Sequence, residues 1–346
     1  MRIADKEIGT AHPCFIIAEA GVNHNGDPDM ALALVEAAVR AGVDAVKFQT
    51  FLAAELVTAW APKAPYQVDE KNTGETQFEM LRKLELSREA HNRIGQCCKD
   101  QGIIFLSTPF DPGSVDLLEE LDIPAFKIPS GEVTNTSLIR HIGLKGRPVI
   151  LSTGMSDLVE IGQAVSTLEE TGNRDIVLLH CVSSYPALPE EMNLRAMETL
   201  KNTFGYTVGL SDHTLGTEIA IAAVALGASV LEKHFTLDKG LPGPDHQASL
   251  DPGELASMVA AIRKVEAALG TGCKVPVVSE SETARAVRKS LVASRAISAG
   301  TVLVEEMITI RRPGTGMPPT QIVKILGKET IVDIEEGQML TEDLVR

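Results

Sequence analysis

The 346-residue sequence has few cysteines, five in all, and none of them forms a CxxC pair. An odd number of scattered cysteines is typical of a protein kept in a reducing compartment, and it argues against a disulfide framework or a cysteine-rich zinc site. Long apolar runs are also missing, since the longest, residues 219–231, is too short to cross a bilayer. The first residues mix polar and apolar side chains, unlike a secretory leader. We therefore expect a cytoplasmic protein without a membrane span.

Positive charge is scarce too, with 32 Lys and Arg residues against 47 Asp and Glu residues and a formal net charge of −15. This excess of negative charge argues against a surface that binds nucleic acid or an anionic membrane. It would also repel an anionic substrate, unless basic side chains gather around the binding site. A local cluster of lysines or arginines would therefore mark such a site.

Eight short runs rich in β-branched residues alternate with helical patterns from residue 14 to about residue 270. The helical patterns have recognisable ends, such as Asp27-Pro28 before the first and Gly42 after it, or Asp157 and Glu160 at the spacing of a capping box. Eight strand–helix pairs over about 250 residues predict a (β/α)8 barrel, the TIM-barrel fold. An open doubly wound sheet is the competing architecture, but no GxGxxG motif or phosphate-binding loop follows the first strand. The predicted strands are Phe15–Glu19, Ala45–Gln49, Ile103–Ser107, Ala125–Ile128, Val149–Ser152, Ile176–Cys181, Thr207–Ser211 and Val230–Phe235.

The sequence changes character near residue 276, where short strands and turns replace the strand–helix alternation. Residues 297–308 and 334–345 carry Ile, Gly and Leu at matching positions, which predicts a compact, pseudo-symmetric β-rich module. We predict a barrel domain over residues 1–274, a linker over 275–286 and this small domain over 287–346. The connection after the second strand, residues 52–87, is long, and such an insertion on the active face of a barrel commonly shapes the substrate site.

Polar side chains lie at the ends of all eight predicted strands. In a barrel of this type the catalytic groups project from the carboxyl ends of the strands. Lys47 and Lys127 both stand at such ends, whereas lysines elsewhere are usually solvated surface residues. Placed together beside hydroxyl groups, the two lysines predict a site for a phosphorylated, carboxylated ligand. The accompanying hydroxyl groups are those of Ser107, Thr108, Ser130, Ser152 and Ser211.

His213 and His234 lie at the ends of two adjacent predicted strands. Neutral imidazoles with nearby carboxylates suit a borderline divalent metal such as Mn²⁺, Co²⁺ or Zn²⁺. The alternative is that one of them is a core histidine bonded to the backbone. The pair on neighbouring strands favours the metal.

Motifs along nearly the whole chain resemble, in the same order, those of the sialic acid synthase family, which includes N-acetylneuraminate synthases and their legionaminic and pseudaminic acid relatives. In the tail, RRPGTGMPP and ILGK resemble the antifreeze-like (SAF) module that ends those enzymes. The resemblance implies a (β/α)8 barrel followed by a SAF domain. The barrel motifs are AEAGVNHNGD, AVKFQTF, FLSTPFD, FKIPSGE, ILSTGM, LLHCVSSYP, GLSDHT, LEKHFTLD and PGPDHQASLDP.

The resemblance also implies a reaction, the condensation of phosphoenolpyruvate with an N-acetylated amino sugar and the release of phosphate. We expect N-acetylmannosamine as the sugar and N-acetylneuraminate as the product. The alternative is a legionaminic or pseudaminic acid synthase that uses a 6-deoxy diacetamido sugar. Some members carry Asn at the position of Ser183, which puts a phosphate or carboxylate contact there in doubt. Phosphoenolpyruvate would be held by Lys47, Thr108, Lys127, Ser130, Ser152, Ser183 and Ser211, and the sugar by Gln49, Glu132, Tyr185, Asp245 and Arg312.

A divalent metal and a partner chain are implied as well. The metal would be Mn²⁺, with Mg²⁺ or Co²⁺ as alternatives, bound by His213 and His234. The assembly would be a domain-swapped homodimer in which Arg312, from the tail of one chain, reaches the sugar bound by the other.

The reaction needs a base to activate the water that adds to carbon 2 of phosphoenolpyruvate. Glu19 and Glu232 are the candidates; their spacing does not choose between them, and we favour Glu19. Two other hypotheses stay open. Lys127 could form a Schiff base, as lysines do in barrel aldolases. The tail could instead be a sugar-binding module on a barrel without enzymatic activity.

Overall fold

The computed structural model describes residues 1–64, 67 and 74–346. The chain divides into two compact units, Met1–Gly270 and Thr271–Arg346. The segment 275–286, predicted as a linker, belongs to the second unit, and its residues from 281 onward are helical. Throughout the described ranges, no helix combines the length and the apolar character that a membrane span requires.

The first unit begins with a two-stranded antiparallel hairpin, β1 (Arg2–Ile3) and β2 (Lys6–Glu7). Eight parallel strands follow, in the spatial order β5-β4-β3-β10-β9-β8-β7-β6. The two outer strands of this order, β5 and β6, lie next to each other, so the sheet nearly closes into a barrel. The prediction of a TIM barrel is confirmed. The strands are β3 (Phe15–Gly21), β4 (Ala45–Thr50), β5 (Ile104–Pro109), β6 (Phe126–Ile128), β7 (Val149–Ser152), β8 (Ile176–Cys181), β9 (Thr207–Asp212) and β10 (Val230–His234).

Helices cover the outside of the barrel, and their apolar faces form one large core with the outward-facing side chains of the strands. The predicted helix ends are confirmed: Asp27 caps the first helix, Gly42 follows it with φ 76°, and Asp157 forms a capping box with Glu160. The helices are α1 (Pro28–Ala41), α2 (Ala53–Leu56), α3 (Gln77–Leu84), α4 (Arg88–Gln101), α5 (Pro112–Glu120), α6 (Thr136–Gly143), α7 (Leu158–Glu170), α8 (Ala196–Phe204), α9 (Glu218–Ala225) and α10 (Pro252–Leu269).

The interior of the barrel changes from apolar to charged along its axis. Phe15 and Ile17 of β3 belong to a buried cluster that also contains Ile3 and Ile8 from the amino-terminal hairpin region. Since every second side chain of a strand faces the same side of the sheet, Glu19 follows Ile17 into the interior, one step nearer the carboxyl end. The hairpin therefore covers the apolar end of the barrel, and the charged end is the one that carries the loops.

The long connection 52–87 contains α2 and α3, and its residues 65, 66 and 68–73 lie outside the described residues. Helix α3 begins at a capping box formed by Thr76 and Glu79. Its residues Met80, Leu81 and Leu84 pack in a separate small core. The other members of this core are Val22, Phe51 and Ala53, with Leu56, Val57, Phe78 and Phe110 against it.

The second unit contains helix α11 (Ser281–Val287) and the antiparallel pair β11 (Ser290–Ala293) and β12 (Ile308–Arg311). The two matching segments of the sequence meet at Ile297 and Ile334, whose backbones exchange two hydrogen bonds of 2.8 Å. The equivalent leucines, Leu303 and Leu340, are both buried in the core of this unit. The internal repeat thus corresponds to two half-units that pair with each other.

Candidate active site

Four charged side chains lie together at the carboxyl end of the barrel. Glu19 on β3, Lys47 on β4, Lys127 on β6 and Glu232 on β10 are each at most 5% exposed. The register of the sheet sets Glu19 directly beside Lys47 on the neighbouring strand, so strand pairing itself joins these opposite charges. Such burial is tolerated only when each charge has a partner, because an uncompensated buried charge is strongly destabilising.

Ion pairs connect the four groups in one network. Lys47 Nζ lies 2.8 Å from Glu19 Oε2 and 3.7 Å from Glu232 Oε2. Lys127 Nζ lies 3.7 Å from Glu232 Oε1, on the other side of the same carboxylate. Two lysines at strand ends are the local positive charge that the acidic composition requires for an anionic ligand. Such a ligand would compete with the two carboxylates for the ammonium groups.

The two carboxyl groups of the network have different pKa values. Burial raises the pKa of Glu19 to about 7, and the adjacent charge of Lys47 opposes the rise. Burial would also raise the pKa of Glu232, but the charges of Lys127 and Lys47 outweigh it and lower that pKa to about 2. Near neutral pH Glu232 is therefore a fixed negative charge, whereas Glu19 can accept and release a proton, as a general base must.

Three of the hydroxyl groups predicted to hold phosphoenolpyruvate belong to this network. Lys47 donates to Thr108 Oγ1 at 2.8 Å, and Lys127 donates to Ser152 Oγ at 2.7 Å. Ser211 Oγ donates to Oε1 of Glu232, the carboxylate that both lysines approach, at 3.0 Å. Thr108 and Ser152 therefore bond directly to the two lysines, and Ser211 bonds to a carboxylate that both lysines approach.

Ser107 lies elsewhere. It precedes Thr108 on β5 and so faces the other side of the sheet. There Ser107 Oγ is 2.7 Å from Thr50 Oγ1, which is 2.9 Å from Nε2 of the buried His91 on α4. This chain of bonds ties the ends of β4 and β5 to the helix layer and leaves Ser107 outside the charged network.

Ser130 and Ser183 form a second polar group, around Gly154 after β7. The backbone N–H of Gly154 donates to Ser130 Oγ at 2.9 Å. A Cβ on Gly154 would lie 2.4 Å from Ser183 Oγ and 3.2 Å from Cys181 Sγ, so a larger residue would fill this space. The sequence prediction gave Cys181 no role, although its position at the end of β8 is the same signal that marked the other residues.

The two predicted metal ligands are close to each other and to Tyr185. The ring centroids of His213 and His234 are 5.5 Å apart, and the ring of Tyr185 packs 4.1 Å from that of His213. His213 Nδ1 lies 2.7 Å from the carbonyl oxygen of Val182 and, as an N–H, donates to it. This bond leaves the lone pair of a neutral His213 on Nε2, where a metal could use it.

Whether these residues fit a metal depends on the atoms they leave without partners. Nδ1 of His234 and Oε2 of Glu232 are buried and make no hydrogen bond. Burial and the neighbouring His213 hold the pKa of His234 well below its usual range, so this imidazole is neutral. Among the residues with described positions, no group of three or more His, Cys, Asp or Glu side chains is arranged to hold a metal. The two histidines therefore offer only their own imidazole nitrogens to an ion, and the metal stays a prediction.

Three residues predicted to bind the sugar line one cavity at the mouth of the barrel. These are Gln49, Tyr185 and the buried Asp245, and the cavity has a volume of about 70 Å³. Glu132 instead lies in a 3₁₀ turn after β6, where its carboxylate accepts a hydrogen bond of 2.7 Å from Asn135. Arg312 belongs to the second unit and lies exposed directly after β12.

A buried ion pair behind the site was missed by the sequence analysis. Lys233 Nζ lies 2.7 Å from Asp212 Oδ2, and the other oxygen of Asp212 accepts bonds of 2.9 and 2.8 Å from the backbone and hydroxyl of Thr214. The sheet register sets Lys233 directly opposite Asp212. This pair fixes the turn that carries His213. Its signal in the sequence was a pair of opposite charges at equivalent positions of adjacent strands.

Comparisons with known proteins identify the family of the chain. Residues 34–274 match the NeuB family, and residues 288–346 match the SAF domain. The chain is 47% identical over 329 residues to the N,N'-diacetyllegionaminic acid synthase of Campylobacter jejuni (serotype O:2), covering 94% of this chain and 98% of that protein. It is 38% identical over 343 residues to the N-acetylneuraminate-9-phosphate synthase of Homo sapiens, covering 98% and 94%. A crystal structure of the N-acetylneuraminic acid synthetase of Leptospira borgpetersenii, in complex with citrate, matches with a TM-score of 0.72 at 34% identity, covering 82% of this chain and 94% of that chain.

The fold, with a charged network at the carboxyl end of the barrel, is that of a (β/α)8 enzyme. The chain belongs to the NeuB family of sialic acid synthases, and it is a phosphoenolpyruvate-dependent sugar synthase. The predicted family, fold and SAF module are confirmed.

Proposed function

We propose that this enzyme condenses phosphoenolpyruvate with a 6-deoxy diacetamido sugar and forms a diacetylated legionaminic acid. The observation that carries the proposal is the pair of buried lysines, Lys47 and Lys127, beside a cavity lined by Gln49, Tyr185 and Asp245. The higher identity to a legionaminic acid synthase, 47% against 38% for the N-acetylneuraminate-9-phosphate synthase, favours this sugar. N-acetylmannosamine, expected from the sequence, becomes the second candidate.

Different residues of the chain bind phosphoenolpyruvate and transfer protons during its reaction. Lys47 and Lys127 bind the phosphate and carboxylate of phosphoenolpyruvate, and the hydroxyls of Thr108 and Ser152, already bonded to them, orient the two anionic groups. Carbon 3 of phosphoenolpyruvate then attacks the aldehyde of the sugar, and positive charge develops on carbon 2. Glu19 accepts a proton from the water that adds there and passes it to the alkoxide oxygen of the former aldehyde. Phosphate then leaves by cleavage of the carbon–oxygen bond and takes the remaining proton of the added water as the ketone forms.

The proposal includes a divalent metal and a partner. His213 and His234 would hold the ion, Mn²⁺, and its chemistry would be Lewis-acid polarisation of the sugar aldehyde. The partner would be a second copy, whose Arg312 completes the sugar site. Arg312 is exposed, so its guanidinium is accessible. The cytoplasmic location stays a prediction.

The test of the proposed function is phosphate release from phosphoenolpyruvate with each sugar in turn. We expect kcat/KM for the 6-deoxy diacetamido sugar to exceed that for N-acetylmannosamine by about 10- to 200-fold, the range that contacts with a single small group supply. The pseudaminic acid precursor and the 6-phosphate of N-acetylmannosamine complete the panel. A higher kcat/KM with N-acetylmannosamine would restore the sequence-based expectation and contradict the proposal.

The pKa of Glu19 predicts the pH dependence of the reaction. If Glu19 is the base, kcat/KM rises with pH through about 7, because the carboxyl must lose its proton before it can accept one from water. Glu232, with a pKa near 2, stays ionised over this range and contributes no such rise. We expect Glu19→Gln to remove the rise, and Glu232→Gln to lower the rate while keeping it. If kcat/KM of Glu19→Gln rose with pH as that of the native enzyme does, a group other than Glu19 would be the base.

A further inference from the structure

The cavity at the mouth of the barrel has two unlike sides. One part of its lining is polar and includes Gln49 and Asp245, which the family resemblance assigned to the sugar, together with His234. Another part is apolar and includes Val22, after β3, with Met80, Leu81 and Leu84 of α3. Sequence motifs gave no role to α3, which belongs to the long connection after the second barrel strand. A ligand group that fits this cavity must itself be polar on one side and apolar on the other.

The apolar side is a firmly packed surface. Met80, Leu81 and Leu84 are each 7–8% exposed and share a core with Val22, while the capping box at Thr76 fixes the start of their helix. Because well-packed side chains shift little, this wall can distinguish ligand groups by shape. An adaptable surface loop would discriminate less.

Size restricts the occupant further. By the measure in which one water needs about 10–15 Å³, a cavity of this volume holds about five non-hydrogen atoms. The volume is about 70 Å³, which suits one substituent of the sugar. An acetamido group has four such atoms, with an amide at one end and a methyl at the other. A hydroxyl group would leave most of the cavity unfilled and place a polar atom near the apolar wall.

We propose that this cavity binds the second acetamido group of a 6-deoxy diacetamido sugar. Met80 and Leu84 contact its methyl group, Asp245 accepts its N–H, and Gln49 donates to its carbonyl oxygen. The Nε2 atom of Gln49 lies 3.5 Å from Glu19 Oε1, which uses one N–H of the side-chain amide and leaves the other to donate to the ligand. The inference rests on the proposed function and assigns to α3 the choice between the two candidate sugars.

Met80→Gln tests the inference, because glutamine has nearly the length of methionine but sets a polar amide against the methyl group. We expect kcat/KM for the diacetamido sugar to fall about tenfold, the loss typical of a small apolar contact, and that for N-acetylmannosamine to change less than about twofold. Met80→Ala, which keeps the wall apolar but enlarges the cavity, is expected to lower the preference as well. The matched control is Val57→Thr, since Val57 packs against the same small core without lining the cavity. It should leave the ratio of the two kcat/KM values unchanged.

A direct binding measurement distinguishes the assignment of the cavity from the proposed function of the enzyme. Saturation-transfer NMR with the diacetamido sugar should show both acetyl methyl groups in contact with the native protein, and one of them weakened in Met80→Gln. Equal losses for both sugars, or none, in a folded Met80→Gln variant would overturn the assignment of the cavity while leaving the proposed function intact. If the native enzyme neither binds nor turns over the diacetamido sugar but accepts N-acetylmannosamine, both are wrong.

Discussion

Replacing Lys127 by methionine is expected to lower kcat/KM for phosphoenolpyruvate about 1000-fold. The buried ammonium group donates to Ser152 Oγ at 2.7 Å and lies 3.7 Å from Glu232 Oε1. Methionine removes the positive charge, so the carboxylate of Glu232 would repel the incoming anion with only Lys47 to offset it. Truncation of a buried charged partner costs about 2–5 kcal/mol, and ~4 kcal/mol corresponds to this factor. Steady-state phosphate release measures the loss, with the melting temperature as the control for folding.

Lys127→Arg separates this electrostatic role from the Schiff-base hypothesis. Burial lowers the pKa of Lys127, although the charge of Glu232 opposes it, and a lowered pKa is also what a Schiff-base lysine needs. Arginine keeps the charge but cannot form the imine. We expect Lys127→Arg to be at least about tenfold more active than Lys127→Met, because its charge still attracts the ligand although its shape differs. Borohydride should trap no pyruvate adduct on the native enzyme. A trapped adduct, with both variants equally inactive, would favour the aldolase mechanism.

The barrel could be predicted from the sequence because its signals are local. Each strand is a short β-branched run, and helix ends carry their own signals, as Asp27 and Gly42 do for α1. The position of reactive groups at strand ends follows from the fold alone. For this reason the lysines Lys47 and Lys127 could be assigned to one site before their distance was known.

The pairings within the candidate site depend on contacts between residues far apart in the sequence. No spacing rule shows that Lys47 pairs with both Glu19 and Glu232, so the separation of the two carboxyl pKa values needed the structure. Successive side chains of a strand point to opposite faces of the sheet, and this rule alone predicts that Asp212 and Lys233 face away from His213 and His234. The length of the connection 52–87 indicated that it shapes the substrate site, but the sequence did not show which of its residues approach the sugar cavity, because a capping box fixes where a helix begins and not what it packs against.

Removal of divalent metal is expected to abolish turnover, and Mn²⁺ is expected to restore it. Lewis-acid polarisation of a carbonyl contributes several kcal/mol, so a loss of about three orders of magnitude or more should follow chelation. His213→Ala and His234→Ala should each weaken Mn²⁺ binding about 100-fold, measured by calorimetry or by the electron paramagnetic resonance of free Mn²⁺. His91→Gln is the control for loss of a buried imidazole, since His91 lies on α4 and bonds to Thr50. It should leave Mn²⁺ affinity unchanged.

The affinity for Mn²⁺ should also fall as the pH falls, because protons compete with the metal for the imidazoles. The two histidines differ in this respect. Burial lowers the pKa of His213, but Cys181 and the carbonyl oxygen of Val182 outweigh it, and the net pKa is raised, whereas that of His234 lies well below its usual range. His213 is therefore the site of the competition. We expect His213→Ala to bind Mn²⁺ weakly with little dependence on pH, and His234→Ala to keep the dependence. Full metal-dependent turnover by His213→Ala, or chelation without effect on the native enzyme, would remove the metal from the mechanism.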